Sequence, residues 1–328
     1  MGKDSLVMKG TTAVMAIVLA AAFGLVGCGS AQGQASSAST DASASSLGPG
    51  QAAVASSGDV DQKGDFTYEQ RELWVDNGGE QIYGVAYVPE GEGQKPLVVF
   101  SHGLGNDHSA GAPYAEVLAS HGFAVHTFDF RGGSAHQNRS DGSSTSMSAM
   151  TEVSDLEAVI EAAKDWDFVD SSAIVAVGES QGGCVSAVYA ADHADELAGL
   201  VLLYPALSIS DDIHAQFASV ADVPDTYGLF GGWMTVGRNY AADMWDYDMF
   251  ARIGAYPGKV LVLHGDADSV VDVSYSERAS QVYPDCELHV ISGAGHGFTG
   301  ENFEEACGYI VAYLDGLQSQ GKSSTWDT

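Results

Sequence analysis

Basic residues are scarce in this chain: 13 Lys and Arg stand against 44 Asp and Glu, a formal net charge of −31 over 328 residues. A surface that negative repels phosphate backbones, which excludes nucleic acid as a partner, and it slows the approach of small anions. Metal-binding spacings are missing as well. The four cysteines form no CxxC and no Cys/His pattern, so no metal and no other cofactor is expected. No apolar run has the length of a membrane-crossing helix, the best being 11–26, which is short and rich in small residues. Internal repeats are also absent, which leaves out solenoids and propellers.

What is there begins with the N-terminus. Lys3 and Lys9 flank a polar start, and the run over 11–26 suits the apolar region of a secretory leader. It ends in Leu25-Val26-Gly27-Cys28, which resembles the lipobox of bacterial lipoproteins. That resemblance implies a signal peptide over 1–27, acylation of Cys28, and an extracytoplasmic protein held on the membrane by its lipid anchor alone. Two or three acyl chains, each worth about 0.8 kcal/mol per buried methylene, hold far longer than one. From 28 to 60 the chain is Ser, Ala, Gly and Gln, with Asp41 as the only charge before Asp59. Such a composition buries too little to order itself and reads as a tether with a reach of about 30 Å. Cys184 reads as a small buried apolar residue, and Cys286 and Cys307 pair only if the fold brings them within disulfide reach.

The folded part is expected over 61–320, with 45% hydrophobic residues and 40 glycines to supply a core and many turns. Strands are predicted over 66–76 and 81–88, joined by Asn77-Gly78-Gly79, a strong hairpin turn. Further strands are predicted over 97–100, 123–128, 173–177, 199–203, 259–263 and 287–291. Helices are predicted over 114–121, 148–166, 184–193, 274–283 and 301–317. In the second of these Val153, Leu156, Ile160 and Ala163 share one face. This alternation argues for an α/β fold, a mostly parallel doubly wound sheet with helices on both sides. The stretch over about 206–256, between the sixth and seventh strands, breaks the rhythm with Asp, Gly, Trp and Tyr and reads as a lid.

The chemistry centres on Gly178-Glu179-Ser180-Gln181-Gly182, between an apolar strand and a helix. A turn that tight lifts a serine hydroxyl clear of the sheet, and its glycines are needed where a side chain would strike a neighbour. A serine hydroxyl needs a base, and the base needs an orienting acid. Of ten histidines, only His102, His264 and His296 lie just past apolar strands, where doubly wound sheets gather functional residues. His296 sits in a glycine-rich loop able to carry it sideways, His264 reads as structural, and His102-Gly103 suits an oxyanion loop. Asp268 is favoured as the acid because it lies farther out on its loop than Asp266, which suits a turn-bracing role; Asp272 is a third competitor.

The order Ser180, Asp268, His296 follows the α/β-hydrolase order. With Ser101-His102-Gly103-Leu104-Gly105, His264-Gly265-Asp266-Ala267-Asp268 and Gly295-His296-Gly297-Phe298, the chain resembles α/β-hydrolases from about 66 to 317. The single His-Gly pair and the insertion with Val223-Pro224-Asp225 are similar to the serine-aminopeptidase-like and cinnamoyl or feruloyl esterase branch. Glu179 departs from it, standing where many relatives have histidine. The resemblance implies a Ser180–His296–Asp268 triad, backbone N–H groups of Leu104 and Gln181 as the oxyanion hole, and Gly178 and Gly182 as the elbow's glycines. It implies hydrolysis of carboxylic esters, with Tyr227, Trp233 and Tyr240 lining a pocket for a small-molecule ester; these aromatics read equally well as the lid's own core. Asp129-Phe130-Arg131-Gly132 reads as a loop-stabilising ion pair. Two other functions compete: a serine exopeptidase with the same triad, and a non-catalytic lipoprotein that binds small ligands.

Overall fold

The computed structural model describes residues 64–136 and 139–323. The expected leader over 1–27, Cys28 and the tether over 28–60 lie outside them.

A hairpin opens the fold, β1 (Tyr68–Asn77) against β2 (Glu80–Pro89). Its turn places Gly78 and Gly79 at φ 69° and 95°, a left-handed pair that only glycine adopts freely. Alternation follows: β3 (Lys95–Ser101), α1 (Ala112–Ser120), β4 (Ala124–Phe128), α2 (Ala149–Ala163), β5 (Val169–Glu179), α3 (Ser180–Asp192) and β6 (Gly199–Leu203). The insertion holds α4 (Ile209–Gln216), a small hairpin of β7 (Thr226–Leu229) and β8 (Met234–Gly237), α5 (Arg238–Ala242) and α6 (Met249–Ile253). Then come β9 (Lys259–Gly265), α7 (Ser274–Val282), β10 (Asp285–Ile291) and α8 (Glu301–Ser323).

Eight strands form the main sheet in the order β1-β2-β4-β3-β5-β6-β9-β10. The pairs β1/β2 and β2/β4 are antiparallel and the rest are parallel. The chain leaves β3 toward β4 and returns to add β5 on the other side of β3. The crevice between the C-terminal ends of β3 and β5 is therefore the place where such a sheet opens to a ligand.

Period-two alternation sends neighbouring side chains to opposite faces. Leu97 and Val99, Ile174 and Ala176, Leu200 and Leu202 join one apolar cluster with α2, α3, α7 and the insertion. Val98 and Phe100, Val175 and Val177, Val201 and Leu203 join the other with α1 and α8. Helix α2 starts at a capping box in which Ser148 Oγ accepts from Thr151 N–H and Thr151 Oγ1 accepts from Ser148 N–H. Its predicted face of Val153, Leu156, Ile160 and Ala163 is buried. The helix stops short of Trp166, whose ring stacks on Phe168 and stands edge-on to His126.

The three described cysteines are free. Cys286 packs with the α2–α3 side of the sheet and Cys307 with the α1–α8 side. The sheet itself stands between them, so the pairing that sequence left open does not occur.

Candidate active site

Strand β5 runs into α3 without an intervening residue, and the joint falls on Ser180 at φ 49°. A non-glycine residue in that region is strained and persists only where its surroundings hold it. The surroundings are tight. A Cβ on Gly178 would land on the Gly182 carbonyl, and one on Gly182 would land on the Ser101 carbonyl. Both positions demand glycine, so α3 can lie directly against the end of β3.

The loop from β10 to α8 carries His296, with Gly293 and Gly297 at φ 75° and 105°. His296 Nε2 lies 2.8 Å from Ser180 Oγ, and its Nδ1 lies 2.7 Å from Asp268 Oδ2. The three side chains thus form one hydrogen-bonded chain across three strand ends. Asp268 is held on every side. Its Oδ1 accepts from the backbone N–H groups of Val270 (2.8 Å) and Val271 (3.0 Å), and His264 Nε2 lies 3.2 Å from Oδ2. His264 is buried, with Nε2 also 3.0 Å from the Val271 carbonyl and Nδ1 2.7 Å from Ser276 Oγ. Two acceptors at Nε2 place its proton there, so His264 donates to the aspartate and takes the serine proton at Nδ1. Burial pushes the Asp268 carboxyl up, but the bonds from His264 and His296 outweigh it and hold the group well below the usual carboxylate range. An acid ionised across the working pH range keeps the His296 proton on Nδ1 and leaves the Nε2 lone pair facing Ser180.

Asp266 is 2.6 Å from Gly293 N and 3.1 Å from Ser292 Oγ. It ties the loop of Asp268 to the loop of His296 and makes no contact with the imidazole chain. Asp272 caps Ser274 at the start of α7.

The loop after β3 faces Ser180. His102 is buried, its Nδ1 donating to Gly103 O (2.8 Å) and its Nε2 accepting from Phe130 N–H (3.1 Å). Burial pushes its pKa down, so it is a neutral staple. Gly105 N donates to Gly133 O and Ala135 N to Gly105 O, which fixes the far side of the loop. Leu104 N–H has no acceptor among the described residues. Gln181 N–H sits in the first turn of α3, where helical bonding leaves amides open. The Gln181 side chain is clamped, donating to Glu152 Oε2 (2.8 Å) and accepting from the Tyr240 hydroxyl (2.7 Å).

Several participants escape a sequence reading. Glu179 is buried and accepts from Gly103 N–H, Asn106 Nδ2 and the Tyr204 hydroxyl. Glu152 is buried behind Gln181, and burial raises its carboxyl well above the usual range, which favours the protonated form. One signal for Glu152 was available: it falls three residues after Ala149 and four before Leu156, inside the apolar stripe of α2.

Polar contacts fix the insertion to the segment that opens α2. Asn239 Nδ2 donates to the carbonyls of Ser146 and Met147 (3.0 Å each), and Ser148 Oγ donates to Asp243 (2.6 Å). Of the aromatics expected to line a pocket, Tyr227 and Tyr240 are buried in the apolar cluster instead, since β7 and α5 turn them toward the sheet. Trp233 is 42% exposed and lies against Gly105, with Phe230, 55% exposed, beside it at the hairpin tip.

In the Asp129 motif the two charges pair with other partners. Arg131 binds Asp155 and Glu80, and Asp129 binds the ring of His108 at 2.6 Å. Asp107, His108 and Asp129 offer donor atoms within 4.8 Å of one another. Asp107 is engaged by Ser109, and Asp129 by His108 and Arg139 N–H, so the group acts as a brace.

A family model described as serine aminopeptidase, S33 matches residues 92–245, just under half of the chain. An uncharacterized protein of Mycobacterium tuberculosis is 26% identical over 223 residues, 66% of this chain and 69% of its own. Among solved structures, Est1E from Butyrivibrio proteoclasticus with bound ferulic acid is similar with a TM-score of 0.68 and 24% identity, covering 74% of this chain and 99% of that one. The chain has the α/β-hydrolase fold. An esterase from Exiguobacterium antarcticum shares this α/β-hydrolase architecture with a TM-score of 0.57 and 19% identity, over 75% of this chain and 100% of the other. In that fold the sharp strand-to-helix turn falls where β5 meets α3 at Ser180, and β9 and β10 carry the loops of Asp268 and His296.

Proposed function

We propose that the protein is a serine esterase that cleaves carboxylic esters of small molecules, aryl or short acyl esters in particular, through an acyl-enzyme. The observation that carries this reading is the chain of bonds from Asp268 through His296 to Ser180, 2.7 and 2.8 Å long. Ser180 attacks the acyl carbonyl as His296 Nε2 takes its proton, and ionised Asp268 stabilises the imidazolium that forms. The amides of Leu104 and Gln181 receive the oxyanion, one such donor being worth about 3 kcal/mol of barrier. His296 returns the proton to the leaving alkoxide, and water repeats the sequence to release the acid. Exposed Trp233 and Phe230, on the insertion read as a lid, favour a phenolic or otherwise apolar acyl group. Ferulic acid bound to Est1E is consistent with that preference.

A serine exopeptidase is the second reading, favoured by the family description that matches 92–245. Fluorophosphonate labelling of Ser180, then turnover of p-nitrophenyl esters, feruloyl esters and aminoacyl anilides, separates the readings. Ester turnover that vanishes in Ser180→Ala supports the esterase, and anilide turnover alone supports the peptidase. No labelling overturns both and favours a ligand-binding protein. The proposal includes an extracytoplasmic position on a lipid anchor at Cys28, which a fatty-acid probe incorporated by the wild type and not by Cys28→Ala supports.

A further inference from the structure

The residue before the nucleophile presents a carboxyl group with no role in proton transfer, at the centre of three donors. Glu179 Oε1 takes the Gly103 N–H and Asn106 Nδ2, each at 3.1 Å, and Oε2 takes the Tyr204 hydroxyl at 2.8 Å. Gly103 immediately precedes Leu104, and a Cβ placed on Gly103 would sit 3.2 Å from Ser180 Cβ and 3.5 Å from Glu179 Oε1. The carboxyl group thus grips the oxyanion loop one peptide away from its proposed donor. Its other partner reaches the base. The Tyr204 ring stands edge-on to His296 with centroids 5.0 Å apart, and edge-on to Phe298 at 4.9 Å. Tyr204 is held at φ 36°, a region a bulky residue adopts only when its surroundings compel it. Two bonds supply that compulsion: Tyr204 N donates to Leu263 O, and Ala206 N donates to Ser180 O two residues later. Burial and the neighbouring Glu179 carboxyl push the Tyr204 hydroxyl well above the usual phenol range, so it remains a donor.

Resting on the serine-hydrolase reading of the site, we propose that Glu179 and Tyr204 are a pair of positioning residues that lock the oxyanion loop and the ring of His296 into one register around Ser180. Oxyanion donors act through alignment, and a misplacement of about 1 Å in such a group costs about a hundredfold. Glu179 sets the angle of the Gly103–Leu104 peptide. Tyr204 transmits that position to the imidazole by packing. Neither residue touches the substrate.

Wild-type labelling by a fluorophosphonate comes first, because its failure would sink the serine-hydrolase reading itself and not the pair. Steady-state constants are then measured for Glu179→Ala, Glu179→Gln, Tyr204→Phe and the Glu179→Ala/Tyr204→Phe double variant. Each is assayed on an aryl ester and on the matching thionoester, whose sulfur takes weaker hydrogen bonds. Glu179→Ala is expected to lower kcat on the ester by about 10- to 100-fold with KM moved less than about threefold. The oxo-to-thiono rate ratio should shrink by about tenfold, because oxyanion bonding is what that ratio reads. Glu179→Gln should recover to within about fivefold of wild type, since the amide oxygen still accepts from Gly103 and Asn106 while its NH2 faces the Tyr204 oxygen. Tyr204→Phe should lose about tenfold, and the double variant should be no worse than the poorer single by more than about twofold. Equal losses on both substrates, additive losses in the double variant, or kcat within about twofold of wild type in Tyr204→Phe would each overturn the pairing. If Glu179→Ala fails to fold, the Gln and Phe variants decide by the same readouts.

Discussion

Replacing Asp268 by asparagine tests the site most severely, because the structure leaves the new amide no good orientation. One oxygen of Asp268 takes two backbone N–H groups, and the other faces His296 Nδ1 and His264 Nε2. The side chain has 0% accessibility, so water cannot relieve a mismatch. If the asparagine NH2 faces the histidines, it meets two donors. If it flips, it meets the amides of Val270 and Val271 instead. The first orientation forces His296 to accept at Nδ1 and carry its proton on Nε2, which then points a hydrogen at Ser180 and cannot act as base. The expected loss is about 10⁴ in kcat, or about 5 kcal/mol of barrier. Leaving buried donors facing donors also costs about 1–3 kcal/mol of stability. The assay is kcat on a p-nitrophenyl ester, with the fluorophosphonate labelling rate as a measure free of deacylation and urea unfolding as the stability measure. Asp266→Asn is the control, because its oxygen can still accept from Gly293, and a loss under about tenfold is expected. An Asp268→Asn enzyme that retained about a tenth of wild-type turnover would refute the reasoning.

Burial raises the Glu152 carboxyl above its ordinary value of 4.5, so above that value the native state keeps a proton the unfolded chain has lost, and stability falls as pH rises toward the raised native value. Glu152→Gln lacks that slope, so between about pH 5 and 8 its melting temperature should drop less than the wild type's; parallel curves would contradict this. Asn239→Ala removes both bonds from the insertion to the carbonyls of Ser146 and Met147, and should cost about 1–2 kcal/mol in urea unfolding, an unchanged midpoint being the adverse result. Gly105 sits at φ 77° with Trp233 where its Cβ would go, so Gly105→Ala should destabilise by about 1 kcal/mol or more and shift tryptophan emission as the indole is displaced. Unaltered emission would mean that the hairpin tip does not rest on this loop.

Local signals carried the sequence reading far, because this fold writes itself in short patterns. The apolar strand 199–203 matches β6 residue for residue, and the hairpin turn at Gly78-Gly79 lies where predicted. The loop of Asp268 was legible because it follows the apolar run Val260-Leu261-Val262-Leu263, and that of His296 because glycines stand on both sides of the histidine. Glu179 was legible only as a departure from the related pattern. Its partners lie 76, 73 and 25 residues away, and nothing in a linear pattern pairs a carboxyl group with Gly103 N–H, Asn106 and Tyr204. Tyr227 and Tyr240 show the same limit from the other side: an aromatic-rich stretch looks alike whether its rings open to a ligand or, as here, fill a core.

The insertion shares its apolar cluster with α2 and α3 and is also bonded to the residues that open α2. An engineer who transplanted the whole segment from a relative would therefore have to rebuild the floor beneath it. The β7–β8 tip is different, with Phe230 and Trp233 exposed on its two sides and Gly231 and Gly232 between them at φ 72° and 93°. Altering only those few positions would leave the foundations intact, which makes the tip the part of the insertion most open to substitution.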